Sequence, residues 1–305
     1  MDLSLQQLRM LREVARRNTI AAAATSLGYT PSAVSQQLTG LEKATGVAVL
    51  ERVGRNVRLT DAGRELVRHA NELLAGLEAA QVAMERVTNE VRGDLVLTVY
   101  ESVASTLVVP LLERLAARHP DLRLRTRGGE PDAAIDALAA GEIDMAFTSD
   151  YPHTPAPRRS DIVRFSLIED EFHLVVPDDD EVTGRSRSLA DAAGRPFVSP
   201  PPGDSCGRCV VAACRDAGFE PEIAHQVDDY PTTLRMVRAR QGVALVPDLG
   251  LVHGAPGLRV VDIRPRVSRT IQLAYRAVSA ERPAIVAVRD ALVEVVAQLP
   301  LTAGR

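Results

Sequence analysis

The stretch from residue 18 to residue 60 constrains the fold of this chain more than any other. At its centre lies Thr30-Pro31-Ser32-Ala33-Val34-Ser35-Gln36-Gln37-Leu38. Thr30 can cap a helix by accepting from backbone N–H groups of the first turn, and Pro31 suits the first helical position, where its missing N–H costs nothing. The apolar positions that follow at helical spacing are Val34, Leu38 and Leu41. The stretch predicts a capped, amphipathic helix.

A second short helix is expected just upstream. Residues 19–28 are rich in alanine and end at Gly28. Two short helices joined by a tight turn with a glycine form a helix-turn-helix, and a helix with small polar side chains on its free face can lie in the major groove. The polar residues on that free face are Ser32, Ser35, Gln36, Thr39 and Lys43. This pattern predicts a DNA-reading helix.

A hairpin is predicted after this helix. Two short β-type segments within residues 46–60 flank Gly54-Arg55-Asn56, which is typical of a wing. Arg52, Arg55 and Arg58 are then placed to meet phosphate or to enter the minor groove. For any single arginine, a solvated surface charge is the alternative.

The charge of the chain is unevenly distributed. The formal net charge is −4, yet residues 1–60 carry eight basic and four acidic side chains. Salt screens charges beyond roughly 8–10 Å, so phosphate attraction is local. A basic N-terminal segment is therefore compatible with DNA binding although the whole chain is acidic.

A long helix is predicted from residue 61 to residue 92. Thr60 can cap this helix, and the negative charge of Asp61 interacts favourably with the helix dipole at the N-terminus. Apolar residues then alternate at spacings of three and four, at Ala70, Leu73, Leu77, Ala80, Met84, Val87 and Val91. This heptad seam predicts a dimerising linker helix, and a helix packed on its own domain is the alternative.

The N-terminal ninety residues resemble LysR-type transcriptional regulators. The resemblance rests on the Ala-rich helix, on Pro31–Gln37, and on the segment from Leu50-Glu51-Arg52 to Leu59-Thr60-Asp61-Ala62-Gly63. It implies a winged helix-turn-helix over residues 1–60, homodimers or homotetramers, and transcriptional regulation through double-stranded DNA in response to a small-molecule effector. The DNA-binding residues expected from pattern and resemblance together are Thr30, Pro31, Ser32, Ser35, Gln36, Thr39, Arg52, Arg55 and Arg58.

The pattern changes to α/β after Gly93. Predicted strands are Leu95–Tyr100, Leu122–Thr126, Ile143–Thr148, Phe172–Val176, Ile223–Val227, Val243–Val246, Leu258–Ile263 and Arg269–Tyr275. Predicted helices are Val103–His119, Asp132–Ala140, Arg208–Ala217, Thr232–Ala239 and Pro283–Gln298. This alternation predicts parallel βαβ units.

The length and order of these elements resemble the effector domain of the same family, which has the shape of a periplasmic binding protein. The resemblance implies two subdomains around a cleft within residues 93–305. Subdomain I is expected at about 93–160 and 268–305, and subdomain II at about 161–267. Pro152, Pro155 and Pro157 suggest a crossing between them.

An effector site is expected where loops follow strands, because ligands of α/β sheets bind beyond the carboxyl ends of the strands and near helix N-termini. Candidate residues from four such loops, whose role follows from the family resemblance, are Tyr100, Glu101, Ser102, Gly129, Glu130, Ser199, Gly203, Ser205, Tyr230 and Thr232. Many family members bind anions there with small hydroxyl residues, whereas this chain offers several acids. A cationic or zwitterionic effector, such as an amino acid or amine, is one interpretation. Acids that only cap helices or face solvent are the other.

Three cysteines lie close together in the sequence, at Cys206, Cys209 and Cys214. The first two form a C-x-x-C at a predicted helix N-terminus, where the helix dipole and Arg208 would lower a thiol pKa. Redox sensing, metal binding and incidental burial all stay open. A zinc site lacks a second C-x-x-C.

Other classes of protein find little support in the sequence. It has no Walker loop, G-x-S-x-G, H-E-x-x-H or G-x-G-x-x-G motif, so we expect no enzyme and no cofactor, and outside the cysteines no metal site. No apolar run reaches membrane-spanning length, and residues 1–17 lack the order of a signal peptide, so a cytoplasmic protein is expected. A solute-binding protein would explain residues 93–305 but not residues 1–60.

Overall fold

The computed structural model describes residues 3–54, 56–152, 158–180 and 186–299. The chain divides into two compact units, residues 1–84 and residues 85–305. Arg55, expected at the tip of the wing, lies outside the described residues.

Three helices form the core of the first unit: α1 (Leu5–Arg17), α2 (Ile20–Leu27) and α3 (Pro31–Thr45). Each begins with a hydroxyl side chain that accepts from a backbone N–H, at Ser4, Thr19 and Thr30. Thr30 Oγ1 lies 3.2 Å from the Ala33 nitrogen, and Pro31 occupies the first helical turn. The predicted capped helix is therefore confirmed.

The hairpin and the long helix follow. Strands β1 (Leu50–Val53) and β2 (Asn56–Leu59) pair antiparallel, which forms the predicted wing. Helix α4 (Asp61–Thr88) begins where Thr60 Oγ1 accepts from the Gly63 nitrogen at 3.0 Å. A Cβ atom at Gly63 would lie 2.0 Å from the Val49 carbonyl oxygen, so only glycine permits this close approach.

The heptad seam of α4 is mostly exposed to solvent. Ala70 is fully buried in the core of the first unit. In contrast, Leu73, Met84 and Val87 are exposed by 56%, 68% and 81%. Exposed apolar residues at heptad spacing indicate a surface that is available to another molecule.

The second unit is built from ten strands and several helices among its described residues. The strands are β3 (Gly93–Val99), β4 (Leu122–Gly128), β5 (Met145–Asp150), β6 (Ile162–Pro177), β7 (Ser186–Ser188), β8 (Pro196–Ser199), β9 (Glu222–Gln226), β10 (Ala244–Pro247), β11 (Leu258–Arg264) and β12 (Ser268–Arg276). The helices are α5 (Glu101–Val103), which continues through a π-turn at Ala104–Val108 into α6 (Val109–Arg118), then α7 (Pro131–Ala140), α8 (Ser205–Asp216), α9 (Tyr230–Arg238), α10 (Asp248–Leu251) and α11 (Pro283–Val296).

The main sheet is mixed, not parallel. Its order is β4-β3-β5-β12-β6-β11-β7, with β10 also paired to β6, while β8 and β9 form a separate parallel pair. Strand β3 is parallel to β4 and β5, but β6 is antiparallel to β10, β11 and β12. The prediction of parallel βαβ units is thus wrong for the four antiparallel pairs of this sheet, β5–β12, β12–β6, β6–β11 and β6–β10. Hydrophobic pattern marks a strand but does not specify the direction of its partner.

Strand β6 is much longer than predicted. It begins at Ile162 instead of Phe172 and continues to Pro177. Residues 162–171 pair with β12, and residues 172–177 pair with β10 and β11. This strand carries the chain from one half of the unit to the other. Of the prolines expected to mark that crossing, Pro155 and Pro157 lie outside the described residues.

Candidate functional site

The outer face of α3 is polar and open to solvent. Ser32, Ser35 and Gln36 are exposed, as are Thr30, Pro31 and Thr39. Three of the hydroxyls have partners: Thr39 Oγ1 donates to the Ser35 carbonyl at 3.0 Å, and Thr30 Oγ1 and Ser32 Oγ lie 3.0 Å apart. Of these six residues, Gln36 has the longest polar side chain.

The two described arginines of the wing differ in their surroundings. Arg52 on β1 is exposed. Arg58 on β2 is also exposed, but its guanidinium donates to Glu51 Oε1 at 2.8 Å. An exposed ion pair of this kind is weak and can exchange for a phosphate.

A cavity of 280 Å³ lies in the second unit, where β3, β4 and β5 end and helices begin. Its lining residues are Val99, Tyr100, Glu101, Ser102, Gly128, Gly129, Glu130, Pro131, Ser149, Tyr151, Pro200, Asp204, Ser205, Cys206, Asp228, Asp229, Tyr230 and Arg269. Seven of the ten effector residues expected from the sequence are among them. The sequence located this region because loops at the carboxyl ends of neighbouring parallel strands converge.

Three expected residues do not line the cavity. Ser199 is 1% exposed, and its Oγ donates to the Pro200 carbonyl at 3.1 Å. The Gly203 carbonyl accepts from the guanidinium of Arg208. Thr232 is exposed, and its backbone nitrogen donates to Asp229 Oδ1 at 2.8 Å. Each of the three residues makes its hydrogen bond to a residue within five positions of it in the sequence.

A close backbone approach positions the start of α8 at the cavity. A Cβ atom at Gly207 would lie 2.0 Å from the Pro201 carbonyl oxygen. The loop before α8 therefore packs directly on the first turn of the helix, which brings Ser205 and Cys206 to the cavity wall.

The sequence did not predict the most buried charged residue of the cavity, Arg269 on β12. It is 3% exposed, and its Nε lies 2.8 Å from Oδ2 of Asp170, which is itself 1% exposed. Its Nη2 donates to Ser102 Oγ at 2.9 Å, and its Cζ lies 5.7 Å from the centre of the Tyr100 ring. The only sequence feature that could have pointed to Arg269 was its place in the predicted strand Arg269–Tyr275, whose residues are mostly apolar.

Glu101 has an unusual environment at the start of α5. Burial raises the pKa of its carboxyl group, the backbone N–H of Tyr230 lowers it, and the nearby Asp229 raises it further. Among the described residues, Glu101 Oε2 is buried without any hydrogen-bond partner. A carboxylate oxygen in this position is costly unless a donor or a proton reaches it.

Acidic groups dominate the cavity wall. The acidic lining residues are Glu101, Glu130, Asp204, Asp228 and Asp229. Arg269 is the one basic side chain among the described lining residues, and Asp170 already balances its charge. The described lining residues thus carry a net negative formal charge.

Three of the five tyrosines in the chain line the cavity. Tyr100 Oη lies 2.7 Å from Ser149 Oγ, and burial raises the Tyr100 pKa to about 12. Tyr230 Oη lies 3.5 Å from Cys206 Sγ. Burial also raises the pKa of both Tyr151 and Tyr230, so all three rings stay uncharged at neutral pH.

The three cysteines differ in their surroundings. Cys209 and Cys214 lie on the buried face of α8 and are fully buried in the core. Burial raises the pKa of each to about 12, instead of the helix dipole lowering it. Cys206 alone of the three lines the cavity.

In the described part of the chain, no group of three or more His, Cys, Asp or Glu side chains is arranged to hold a metal ion. None of the described helices is both long and apolar enough to cross a bilayer.

A winged helix-turn-helix followed by an α/β unit with a polar cavity defines a DNA-binding regulator with an effector domain. Residues 5–64 match the family of bacterial regulatory helix-turn-helix proteins of the lysR type, and residues 88–297 match the LysR substrate binding domain. The chain therefore belongs to the LysR family of transcriptional regulators.

Individual relatives span nearly the whole chain. The transcriptional dual regulator GltC of Bacillus subtilis is 28% identical, over 88% of this chain and 89% of that protein. A probable hydrogen peroxide-inducible genes activator of Mycobacterium avium is 27% identical, over 89% and 88%.

Solved structures share the fold. A full-length OxyR variant of Pseudomonas aeruginosa superimposes with a TM-score of 0.71 at 22% identity, covering 96% of this chain and 98% of that one. Full-length CbnR in complex with its target DNA gives a TM-score of 0.55 at 23% identity, covering 96% and 100%.

Proposed function

We propose that this LysR-family regulator responds to a cationic or zwitterionic small molecule, such as an amino acid or amine, bound in the cavity around Glu101. The observation that carries the proposal is the buried, unpartnered Oε2 of Glu101. An ammonium group of the ligand would donate to this oxygen and supply the charge that the acidic wall lacks.

A zwitterion fits the cavity better than a simple cation. Arg269 supplies a guanidinium next to Ser102, and Ser205 lies in the first turn of α8. Both a guanidinium and the N-terminus of a helix favour a carboxylate. The cavity thus combines an acidic region for an ammonium group with N–H donors for a carboxylate.

The experiment is a thermal-shift screen of the full-length protein with three sets of compounds. These are amines such as putrescine, amino acids such as ornithine and lysine, and dicarboxylates such as malate. We expect amines or amino acids to raise the melting temperature of the wild type but not of Glu101→Gln. Stabilisation by dicarboxylates alone would contradict the proposal.

For DNA, we propose that Ser32, Ser35 and Gln36 contact base edges, with Gln36 able to pair bidentately with adenine. Thr30, Pro31 and Thr39 would border this contact on α3. Arg52, Arg55 and Arg58 of the wing would hold the backbone or enter the minor groove. The exposed positions of α3, Arg52 and Arg58 support this assignment.

We also infer the division of labour along the chain. Residues 1–60 would read DNA, 61–92 would join two chains through the exposed seam of α4, and 93–305 would sense the effector. Within the last part, residues of about 93–160 and 268–305 would form one subdomain and about 161–267 the other. Effector binding would change the closure of the two and so the placement of paired DNA-binding units.

Oxidation of Cys206 is a second candidate signal. The thiol lines the cavity at the start of α8, 3.5 Å from Tyr230 Oη. Mass spectrometry of the full chain after mild peroxide would show oxidised Cys206 if this is correct, and Cys206→Ser would abolish the response. An unmodified Cys206 would exclude it.

A further inference from the structure

A buried histidine outside the cavity bridges two carboxylates. His173 on β6 is 5% exposed, with Nε2 3.0 Å from Asp248 Oδ1 and Nδ1 3.0 Å from Asp262 Oδ1. A carboxylate can only accept, and a neutral imidazole has a single N–H. Both contacts are satisfied at once only when the ring carries two protons and a positive charge.

The charged groups around His173 come from four elements. Asp248 begins α10 and is 4% exposed, whereas the side chain of Asp262, opposite His173 on β11, is 59% exposed. Further charged residues nearby are Asp170 and Glu171 on β6, Arg269 on β12, and Arg266, which pairs with Glu171 at 3.4 Å. Burial lowers the His173 pKa, but Asp248 and Asp262 outweigh this effect and raise it.

Hydrogen bonds between two pairs of adjacent residues, 170–171 and 248–249, connect this histidine to the cavity. The Glu171 nitrogen donates to Asp248 Oδ2 at 3.3 Å, and the Leu249 nitrogen donates to Asp170 Oδ1 at 3.0 Å. Asp170 in turn binds Arg269, which lines the cavity. Two buried anions, Asp170 and Asp248, are thereby balanced by two cations, Arg269 and His173.

We propose that His173 is a positioning residue for the cavity: its positive charge completes this balanced network and so holds Arg269 against Ser102 and Tyr100. When His173 loses its proton, the buried carboxylate of Asp248 loses a positive neighbour at 3.0 Å, and its charge acts more strongly on the Asp170–Arg269 pair. This inference rests on the proposed function in one respect: it takes this cavity to be the effector site.

The test titrates the full chain without any ligand between pH 6 and pH 9. The chain has six histidines, five tyrosines and no tryptophan, so NMR of labelled histidine follows His173 while near-ultraviolet circular dichroism follows the tyrosines. We expect His173 to titrate above 6.5 and the tyrosine signal to change at the same midpoint. A tyrosine signal that stays flat through the His173 step would overturn the proposal.

Variants separate charge from packing. His173→Gln should alter the tyrosine circular dichroism at pH 7 and abolish the change of this signal with pH. The double variant His173→Gln, Asp248→Asn should bring the signal back towards that of the wild type. His225→Gln, on β9, is the control and should keep the step. A wild-type spectrum with an intact step in His173→Gln would refute the proposal, as would a double variant no closer to wild type than the single one.

If His173→Gln does not fold, the wild-type titration still decides. Because no ligand is added at any stage, a negative result leaves the effector proposal untouched, and failure of the effector screen leaves this result untouched.

Discussion

Arg269 Nη2 lies 2.9 Å from Ser102 Oγ, although 167 residues separate the two in the sequence. The same guanidinium binds Asp170 on the long strand β6. One buried ion pair therefore joins the start of α5, strand β6 and strand β12 at the wall of the cavity. A ligand that contacts Arg269 would act on all three elements together.

Removal of this arginine should be costly for stability. We expect Arg269→Gln to lower the free energy of unfolding by about 3–5 kcal/mol, because it leaves the carboxylate of Asp170 buried without its counter-charge. Urea denaturation of the full chain, followed by circular dichroism, measures the effect.

A matched control is Arg215→Gln, which breaks the exposed pair of Arg215 with Glu220. That change should have a much smaller effect, since exposed ion pairs contribute little. Similar losses in both variants would show that the Arg269 pair has no special structural role.

Glu101→Gln should stabilise the protein while it removes the effector response. The fold raises the Glu101 pKa, so its ionised form is disfavoured and the wild type loses stability as the pH rises through that pKa. The amide has no charge to bury. We expect a gain of about 1 kcal/mol at pH 7 and almost none at a pH below the ordinary pKa of a glutamate, measured as thermal unfolding at several pH values.

Glu220→Gln should change the stability in the opposite direction to Glu101→Gln. Arg215 lowers the pKa of this exposed carboxyl group, so loss of its charge should slightly lower the melting temperature at neutral pH. If Glu101→Gln also lowers the melting temperature, the carboxylate stabilises the free protein. The interpretation of Glu101 Oε2 as a buried oxygen without a partner is then incorrect.

Gln36→Ala and Arg52→Ala should affect DNA binding in different ways. The first removes a base contact and should weaken binding to the operator by about 1–3 kcal/mol, with little effect on binding to random DNA. The second removes a phosphate contact, so it should weaken both DNAs alike and reduce the salt slope by about one. Fluorescence anisotropy at several salt concentrations measures both, and equal losses on both DNAs for the two variants would refute the assigned roles.

The double substitution Leu73→Asp and Met84→Asp should dissociate the protein into single chains of 32.9 kDa. Both side chains are exposed in one chain, so charges there leave its own core intact but repel a partner across the seam. Light scattering after gel filtration measures the mass. Ala75→Asp, exposed on another face of α4, should leave the assembly unchanged. An unchanged mass in the double variant would show that the seam is not the interface.

Local residues determined much of this structure. The caps at Thr19, Thr30 and Thr60 and the glycine at residue 28 are interactions within a few residues of sequence. The helix-turn-helix, the wing and the heptad seam could accordingly be predicted from pattern. The loops that converge on the cavity could also be located, because strand ends mark them.

The tertiary structure alone decided which side chains form the site. Arg269 reaches Ser102 from strand β12, which pairs with both β5 and β6, whereas Ser199 and Thr232 do not line the cavity. Strand direction and long-range ion pairs depend on how distant segments pack. The sequence carries no periodic signal for such contacts, because the residues that make them are far apart along the chain and each fits its own local pattern.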